Sequence, residues 1–384
     1  MVDLNETMEG IRETCASITQ RIDRAYIAEC AREGQVPHKL WDLWAETGLL
    51  GLGVPEESGG SGGGTTEVCF ATDLLHQAGL EMPHGTPNHM SRTTIAKHGS
   101  AAQREKYLPK TVTGEECFAF AITEPNAGTN SFKIHANAKR QPDGNYLLNG
   151  QKHYITNFVG SNNALVVART DKASAQGRTG GLSLLIVDTK SPGISATAMD
   201  IGAHLPDQQY VVNFDEVVVP EENVVGEPGK GLQALFDSVN PERLVTSAKS
   251  LGLADFVLNR AVEYAKIRSP FGTPIGAYQS IQHPMALAKC RIEGARALLY
   301  QAAQKFDSGE NAGLEANMVK FLSSDALKTA ADIAMTTFGG ASMDMGQDII
   351  PFYLRAKLAE VAPLTNNVVL GFVAQQGLKL PKSY

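Results

Sequence analysis

The residues that could do chemistry in this sequence sit in turns and at expected helix ends. Asn240-Pro-Glu-Arg-Leu244 sets a carboxylate beside a guanidinium. By residue type alone, Asn240 reads as an N-cap, Pro241 fits the first helical position, and Glu242 favours the helix dipole. Arg268, in Arg268-Ser-Pro-Phe-Gly272, reads by type as an exposed cation at a helix end, which favours the macrodipole. In Phe120-Ala-Ile-Thr-Glu-Pro-Asn-Ala-Gly-Thr-Asn130, Pro125 and Gly128 mark a turn after a short apolar run. Asn149-Gly150 is a hairpin signal between two strand-like runs.

Other chemistries find no pattern. The glycine run from Gly59 to Gly64 has no GxxxxGK[ST] pattern, and Gly51-Leu-Gly53 lacks a third glycine three residues on, so a phosphate loop and a Rossmann fingerprint are both rejected. The five cysteines (Cys15, Cys30, Cys69, Cys117, Cys290) show no CxxC spacing, which argues against zinc and against a disulfide framework; the odd count fits a reducing compartment.

Three segments must position these residues. Up to about Thr111 apolar residues recur at three and four, as in Ile11, Cys15, Ile18 and Ile22, which is a helical period, interrupted by the glycine-dense loop from Gly51 to Gly64. From Glu115 to Gly226 the text reads as short strands: 118–122, 146–148, 153–156, 164–168, 182–187, 210–214 and 216–219. Helical spacing returns after Gly231, as in Leu253, Val257, Ala261 and Tyr264. The expected division is a helical domain (1–114), a β domain of barrel or sandwich type (115–226) and a helical bundle (227–384).

At 384 residues and 43% hydrophobic, the chain can bury large shared cores. A net charge of -7 and the lack of a basic run argue against a nucleic-acid surface. Met1-Val-Asp-Leu-Asn-Glu6 has neither the basic start nor the apolar core of a secretory signal, and no apolar run reaches the length of a membrane span. The expectation is a soluble cytoplasmic protein.

The motifs in their order along the chain resemble those of acyl-CoA dehydrogenases. Besides the Thr123-Glu-Pro and Ile155-Thr-Asn157 segments these are Gly48-Leu-Leu-Gly-Leu-Gly-Val-Pro55, Gly99-Ser-Ala-Ala-Gln-Arg-Glu-Lys-Tyr-Leu-Pro109, Phe214-Asp-Glu-Val-Val-Val-Pro220, Arg268-Ser-Pro-Phe-Gly272, Tyr278-Gln279 and Phe338-Gly-Gly340. The resemblance covers essentially the whole chain. It implies an α+β multidomain fold with a helical N-terminal domain, a middle β domain and a C-terminal four-helix bundle. It also implies FAD as cofactor, an electron-transfer flavoprotein as electron acceptor, and a homotetramer.

Carried over position by position, the resemblance lays Phe120, Ile122 and Thr123 along the flavin ring and sets Tyr154 and Thr156 on its opposite face. A flavin that accepts hydride needs one face shielded from water and the other open to substrate. Tyr154 stands where the family usually has tryptophan. Arg268, Phe271, Gln279, Gly339 and Gly340 match contacts to the FAD of a neighbouring subunit, and Thr365 and Asn367 match an FAD-facing pattern near the C-terminus. Thr336 replaces a usual glutamine. Thr129, Asn240 and Arg243 match residues along the CoA arm, Thr129 also lying near the cofactor, and Arg92 matches the far end of the acyl pocket. An inward Arg92 implies a short, polar or anionic acyl group, whereas a solvent-facing helix arginine implies nothing.

The family desaturates an acyl-CoA between Cα and Cβ, and most members place the basic glutamate where this chain has Pro363. In isovaleryl-CoA and long-chain members the glutamate comes from an earlier helix, and Glu242 matches that alternative. Glu360 is the rival base. Proline has no N–H to donate to a thioester oxygen. Pro363 therefore also leaves room for another flavin reaction, such as elimination or oxidation by oxygen, or for a non-catalytic subunit of a hetero-oligomer.

Overall fold

The computed structural model describes residues 6–170 and 181–382. Six helices come first: α1 (Glu6–Arg21), α2 (Arg24–Glu33), α3 (His38–Glu46), α4 (Thr65–Gln77), α5 (Gly85–His98) and α6 (Ala101–Val112). Their ends follow local chemistry. Asp23 caps α2 by accepting from Ala25 N at 2.8 Å, Gly34 closes that helix at φ 64°, and Ser100 with Gln103 forms a capping box for α6. Ile18, Leu40 and Leu75 are fully buried among these helices and make their own apolar core.

The glycine loop ends at Gly64 and runs straight into α4. That helix N-terminus is an anion site in principle, but Asp307 of a later helix already fills it, accepting from Thr65 N and Thr66 N, both at 2.8 Å. The rejection of a phosphate loop therefore has a structural reason.

Eight strands follow: β1 (Phe118–Ala121), β2 (Asn137–Arg140), β3 (Tyr146–Thr156), β4 (Asn163–Arg169), β5 (Leu182–Asp188), β6 (Ile194–Met199), β7 (Gln209–Val219) and β8 (Val224–Val225). They form one sheet in the order β6-β7-β3-β2-β4-β5-β8, with β1 parallel to β4. Two expectations are corrected here. Asn149-Gly150 is no hairpin: β3 runs through it with a bulge between Leu148 and Gly150. Gly150 sits at φ 143° with Ala136 so close that a Cβ would approach to 2.6 Å, so the glycine serves a close backbone approach rather than a turn. Likewise 210–214 and 216–219 belong to one strand, β7, and the largely exposed β6 lacked an apolar signal.

The last region holds α7 (Leu232–Ile267), α8 (Gln279–Asp307), α9 (Gly313–Phe338), α10 (Ile350–Val361) and α11 (Asn366–Gln376). The centre of α7 is buried all round from Leu251 to Leu258, because α4 packs on one side and α8 and α9 on the others; its one charged residue, Asp255, is paired with Lys289 and Arg296 of α8. At Gly252 a Cβ would meet Asp73 O at 2.5 Å, so this glycine lets α4 lie directly against α7. None of the described helices is long and apolar enough to cross a membrane.

Candidate functional site

The Thr123-Glu-Pro segment is held by a buried ion pair that sequence reasoning passed over. Lys152 of β3, fully buried, donates to Glu124 Oε1 at 2.9 Å and to the Ile122 carbonyl at 3.0 Å, and His153 N donates to the Thr123 carbonyl at 2.9 Å. Glu124 also accepts from His135 N and Ala136 N at 2.7 and 3.0 Å. Burial lowers the lysine to about 8 while Glu124 pulls it back up. These bonds clamp Ile122 and Thr123 beside the second half of β3, which carries Tyr154 and Thr156.

Phe120 is buried, Ile122 and Thr123 are half-buried, and Tyr154 stands 59% exposed at φ 59°. Thr156 exchanges hydrogen bonds with Gln209 of β7 at 2.9 to 3.1 Å. Thr129 is exposed in the loop after β1.

A second group gathers at one end of the bundle. Arg268 caps α7, and Ile275 N donates to its carbonyl at 2.8 Å, which folds back the turn leading to Gln279, the first residue of α8. Tyr264 of α7 stacks on Phe338 of α9 at 4.1 Å, so Gly339 and Gly340 end at the same place. Phe271 is 85% exposed, Arg268 makes no ion pair among the described residues, and a Cβ at either glycine would meet open space.

Thr365 and Asn367 start α11 elsewhere. Asn366 between them is bonded to Lys320 and Ser324 of α9 at 2.6 and 3.2 Å. Gly339 lies fifteen residues beyond Ser324, about 22 Å along that helix. One chain therefore does not bring these two groups together.

Glu242 sits inside α7, which begins at Leu232, so Asn240 is not an N-cap and Pro241 is not at a first helical position. The expectation fails because Leu235 and Val239 extend the apolar face back against the sheet domain. Asn240 Oδ1 accepts from Arg243 Nη1 at 2.9 Å, and Arg243 Nε is buried without a partner among the described residues. The Glu242 carboxylate has no hydrogen bond among the described residues. Burial pushes it up to about 7 against the opposing pull of Arg243. Glu360, in the last turn of α10, is tied to Lys328 at 3.1 Å and Lys357 at 2.8 Å; those bonds hold its carboxyl below the usual range despite some desolvation.

Two cavities lie along α7 before and after Glu242, sharing His89 as a lining residue, and neither is lined by Glu242 itself. A cleft of about 1060 Å³ is lined by Asn240, Asp237 and Phe236 of α7, by His89 and Thr93 of α5, and by the α8–α9 turn. A small inner cavity of about 40 Å³ is lined by Val245 and Lys249 of α7, by Arg92 and His89 of α5, and by Trp44 and His76. Arg92 is 5% exposed, so the reading of a solvent-facing arginine is overturned. Asn88, His76 and Trp44 were missed in the sequence, which carries no local mark that their polar atoms turn inward.

These arrangements suit a large flavin cofactor. The clamped loop and Tyr154 offer a ring-sized wall, and the unpaired Arg268 beside two open glycines suits a diphosphate.

Comparison with known proteins gives the same answer along the whole chain. Residues 5–115, 119–217 and 229–378 match the family models described as acyl-CoA dehydrogenase N-terminal, middle and C-terminal domain. Acyl-CoA dehydrogenase FadE12 of Mycobacterium tuberculosis is 35% identical, covering 99% of this chain and 98% of that protein. Mitochondrial isovaleryl-CoA dehydrogenase of Oryza sativa is 33% identical over 80% of this chain and 75% of its own length. The structure of butyryl-CoA dehydrogenase from Megasphaera elsdenii superposes with a TM-score of 0.92 at 29% identity, covering 99% of this chain and all of that one. The chain belongs to the acyl-CoA dehydrogenase family of FAD-dependent oxidoreductases.

Proposed function

We propose that this acyl-CoA dehydrogenase uses Glu242 to remove the α proton of a saturated acyl-CoA, giving the 2-enoyl thioester. The observation that carries the assignment is a carboxylate with no hydrogen-bond partner among the described residues, raised by desolvation to about 7, about one helical turn before Val245 of the inner cavity on the same side of α7. A base with a pKa near the working pH combines a large ionised fraction with real basicity. Glu360 has neither property, because two lysines hold it ionised.

FAD, when bound, supplies the acceptor for the β hydride. Phe120, Ile122, Thr123, Tyr154 and Thr156 would hold its ring, with Thr129, Thr365 and Asn367 around the same cofactor. Arg268, Phe271, Gln279, Gly339 and Gly340 would meet the cofactor of a neighbouring subunit. The separation of Thr365 from Gly339 along α9 supports an FAD shared between two subunits, which the homotetramer of this reading would provide, and an electron-transfer flavoprotein in the cytoplasm would reoxidise it.

Asn240 lines the cleft that would take the CoA arm, with Arg243 bonded to it. Pro363 cannot donate to the thioester oxygen, but the next two residues make no backbone hydrogen bond through Leu364 N–H or Thr365 N–H among the described residues. Either can take over the polarising role, which typically supplies about 3 to 4 kcal/mol.

Anaerobic mixing of the yellow holoenzyme with a panel of saturated acyl-CoAs tests the reading: the flavin absorbance bleaches with at least one member. No bleaching at any chain length would reject dehydrogenation and favour the other flavin chemistry that Pro363 suggests. A colourless protein unable to take up FAD would point to a non-catalytic subunit.

A further inference from the structure

The inner cavity is built unlike a pocket for a hydrocarbon tail. Arg92 is buried, donates through Nη1 to the Leu50 carbonyl, and leaves its Nε–H without an acceptor among the described residues. No carboxylate stands among the groups acting on its charge, where the Cys117 thiol is the opposing influence beside desolvation. Asn88 is 1% exposed; its Oδ1 accepts from Phe118 N at 3.0 Å, so its amide nitrogen is the free end, and that nitrogen is buried and unpaired. Trp44 Nε1 is a third buried donor without a partner. Three residues that line about 40 Å³ of space thus each carry a buried donor with no partner among the described residues, one of them cationic, and the space has room for a small polar group and too little for a long chain.

The cavity lies in line with the proposed base. Val245 and Lys249 follow Glu242 by three and seven residues on one face of α7, so Lys249 lies about 10 Å further along the axis. Val245 and Lys249 both line the cavity, and His89 lines both this cavity and the wide cleft. The charge of Lys249 is already opposed by Glu81 and Asp207, with Arg355 of like sign nearby. Arg92 has no such compensation. His76 donates from Nδ1 to the Thr72 carbonyl at 2.7 Å, which leaves Nε2 an acceptor for a water or hydroxyl at the same place.

We infer that the inner cavity binds a carboxylate at the distal end of the acyl chain, so that the preferred substrates are monothioesters of short dicarboxylic acids, with Arg92, Asn88 and Trp44 donating to that carboxylate. The inference rests on the proposal that the acyl chain runs from Glu242 along α7. It is a statement about specificity and adds no step to the reaction.

The test compares carboxylate-terminated CoA thioesters of increasing length with methyl-terminated ones of equal carbon count on the holoenzyme, by calorimetric binding and by anaerobic bleaching. The expected result is tighter binding of the best carboxylate-terminated thioester by at least about tenfold, the scale of one hydrogen bond to a charged group. Arg92→Met removes that preference, with carboxylate-terminated thioesters losing several-fold more affinity than methyl-terminated ones. Trp44→Phe keeps the ring, loses one donor, and cuts the preference several-fold should Arg92→Met not fold.

Equal or better binding of methyl-terminated chains by the unaltered enzyme overturns the inference, as does a loss in Arg92→Met that is the same for both series. Binding preference without bleaching leaves the inference standing and sinks the dehydrogenation reading. Bleaching by methyl-terminated chains with no preference does the reverse.

Discussion

Lys152 of β3 and Glu124 of the loop after β1 form a fully buried ion pair at 2.9 Å, and through it the loop that carries Ile122 and Thr123 is fixed to the strand that carries Tyr154. Glu124→Gln or Lys152→Met leaves its partner buried and uncompensated, which costs about 3 to 5 kcal/mol. Urea denaturation is expected to show that loss, with a lower flavin-to-protein ratio after purification. The double replacement Glu124→Leu with Lys152→Met recovers most of the stability, because an apolar pair of similar volume avoids the desolvation cost. Failure to recover any would mean that the backbone bonds of Glu124 to His135 and Ala136 dominate.

Glu242 trades stability for basicity. Its carboxyl rises from 4.5 to about 7 on folding, so the native state favours the proton. The stabilising contribution is complete below the unfolded value and disappears as pH rises through about 7. Glu242→Gln, a neutral mimic, is therefore expected to be more stable than the parent at about pH 8 by on the order of 2 to 3 kcal/mol. The difference should close toward about pH 4. Denaturation midpoints at both pH values check this. The same variant should lose about 100- to 10,000-fold in the rate of flavin reduction.

The pH dependence of reduction follows from the same group. As the proposed base, Glu242 must be ionised to accept the α proton, so the rate should fall about tenfold per pH unit below about 7 and level off above it. Stopped-flow bleaching across pH with one acyl-CoA measures the acid limb. A limb near the ordinary carboxylate value would disqualify Glu242.

Glu360 provides the control. Its pairs with Lys328 and Lys357 lie near the surface, and such pairs are worth about 0 to 1 kcal/mol. Glu360→Gln should reduce flavin at close to the parent rate. A large loss in this variant, with Glu242→Gln active, would reverse the assignment of the base.

Arg268→Ala tests the shared cofactor site. Losing a charged fork on a diphosphate is expected to weaken FAD retention by about 10- to 100-fold. Equilibrium dialysis of FAD against the purified protein measures this, alongside the oligomer mass from light scattering. Unchanged affinity would place the diphosphate elsewhere.

What the sequence by itself determined is what local periodicity can carry. Helical spacing in the first and last thirds and β-branched runs in the middle depend on the face a segment must bury, and the folded chain keeps that order. Glu242 could be proposed from the sequence because the family resemblance puts Pro363 at the usual position of the base, and the missing N–H and carboxylate of Pro363 are properties of the residue itself.

Tertiary structure decided the rest, because it depends on atoms from distant parts of the chain. Asn149-Gly150 has a turn-forming composition, yet Ala136 lies against it and the strand continues. Asn240 has the composition of a cap, yet the apolar face from Leu235 to Leu244 extends α7 through it. Arg92, Asn88 and Glu124 look like ordinary polar residues in the sequence, and Trp44 like an ordinary apolar one. Whether their polar atoms meet water, a partner or an empty cavity is set by which helices and strands close over them, and a one-dimensional pattern holds no record of that.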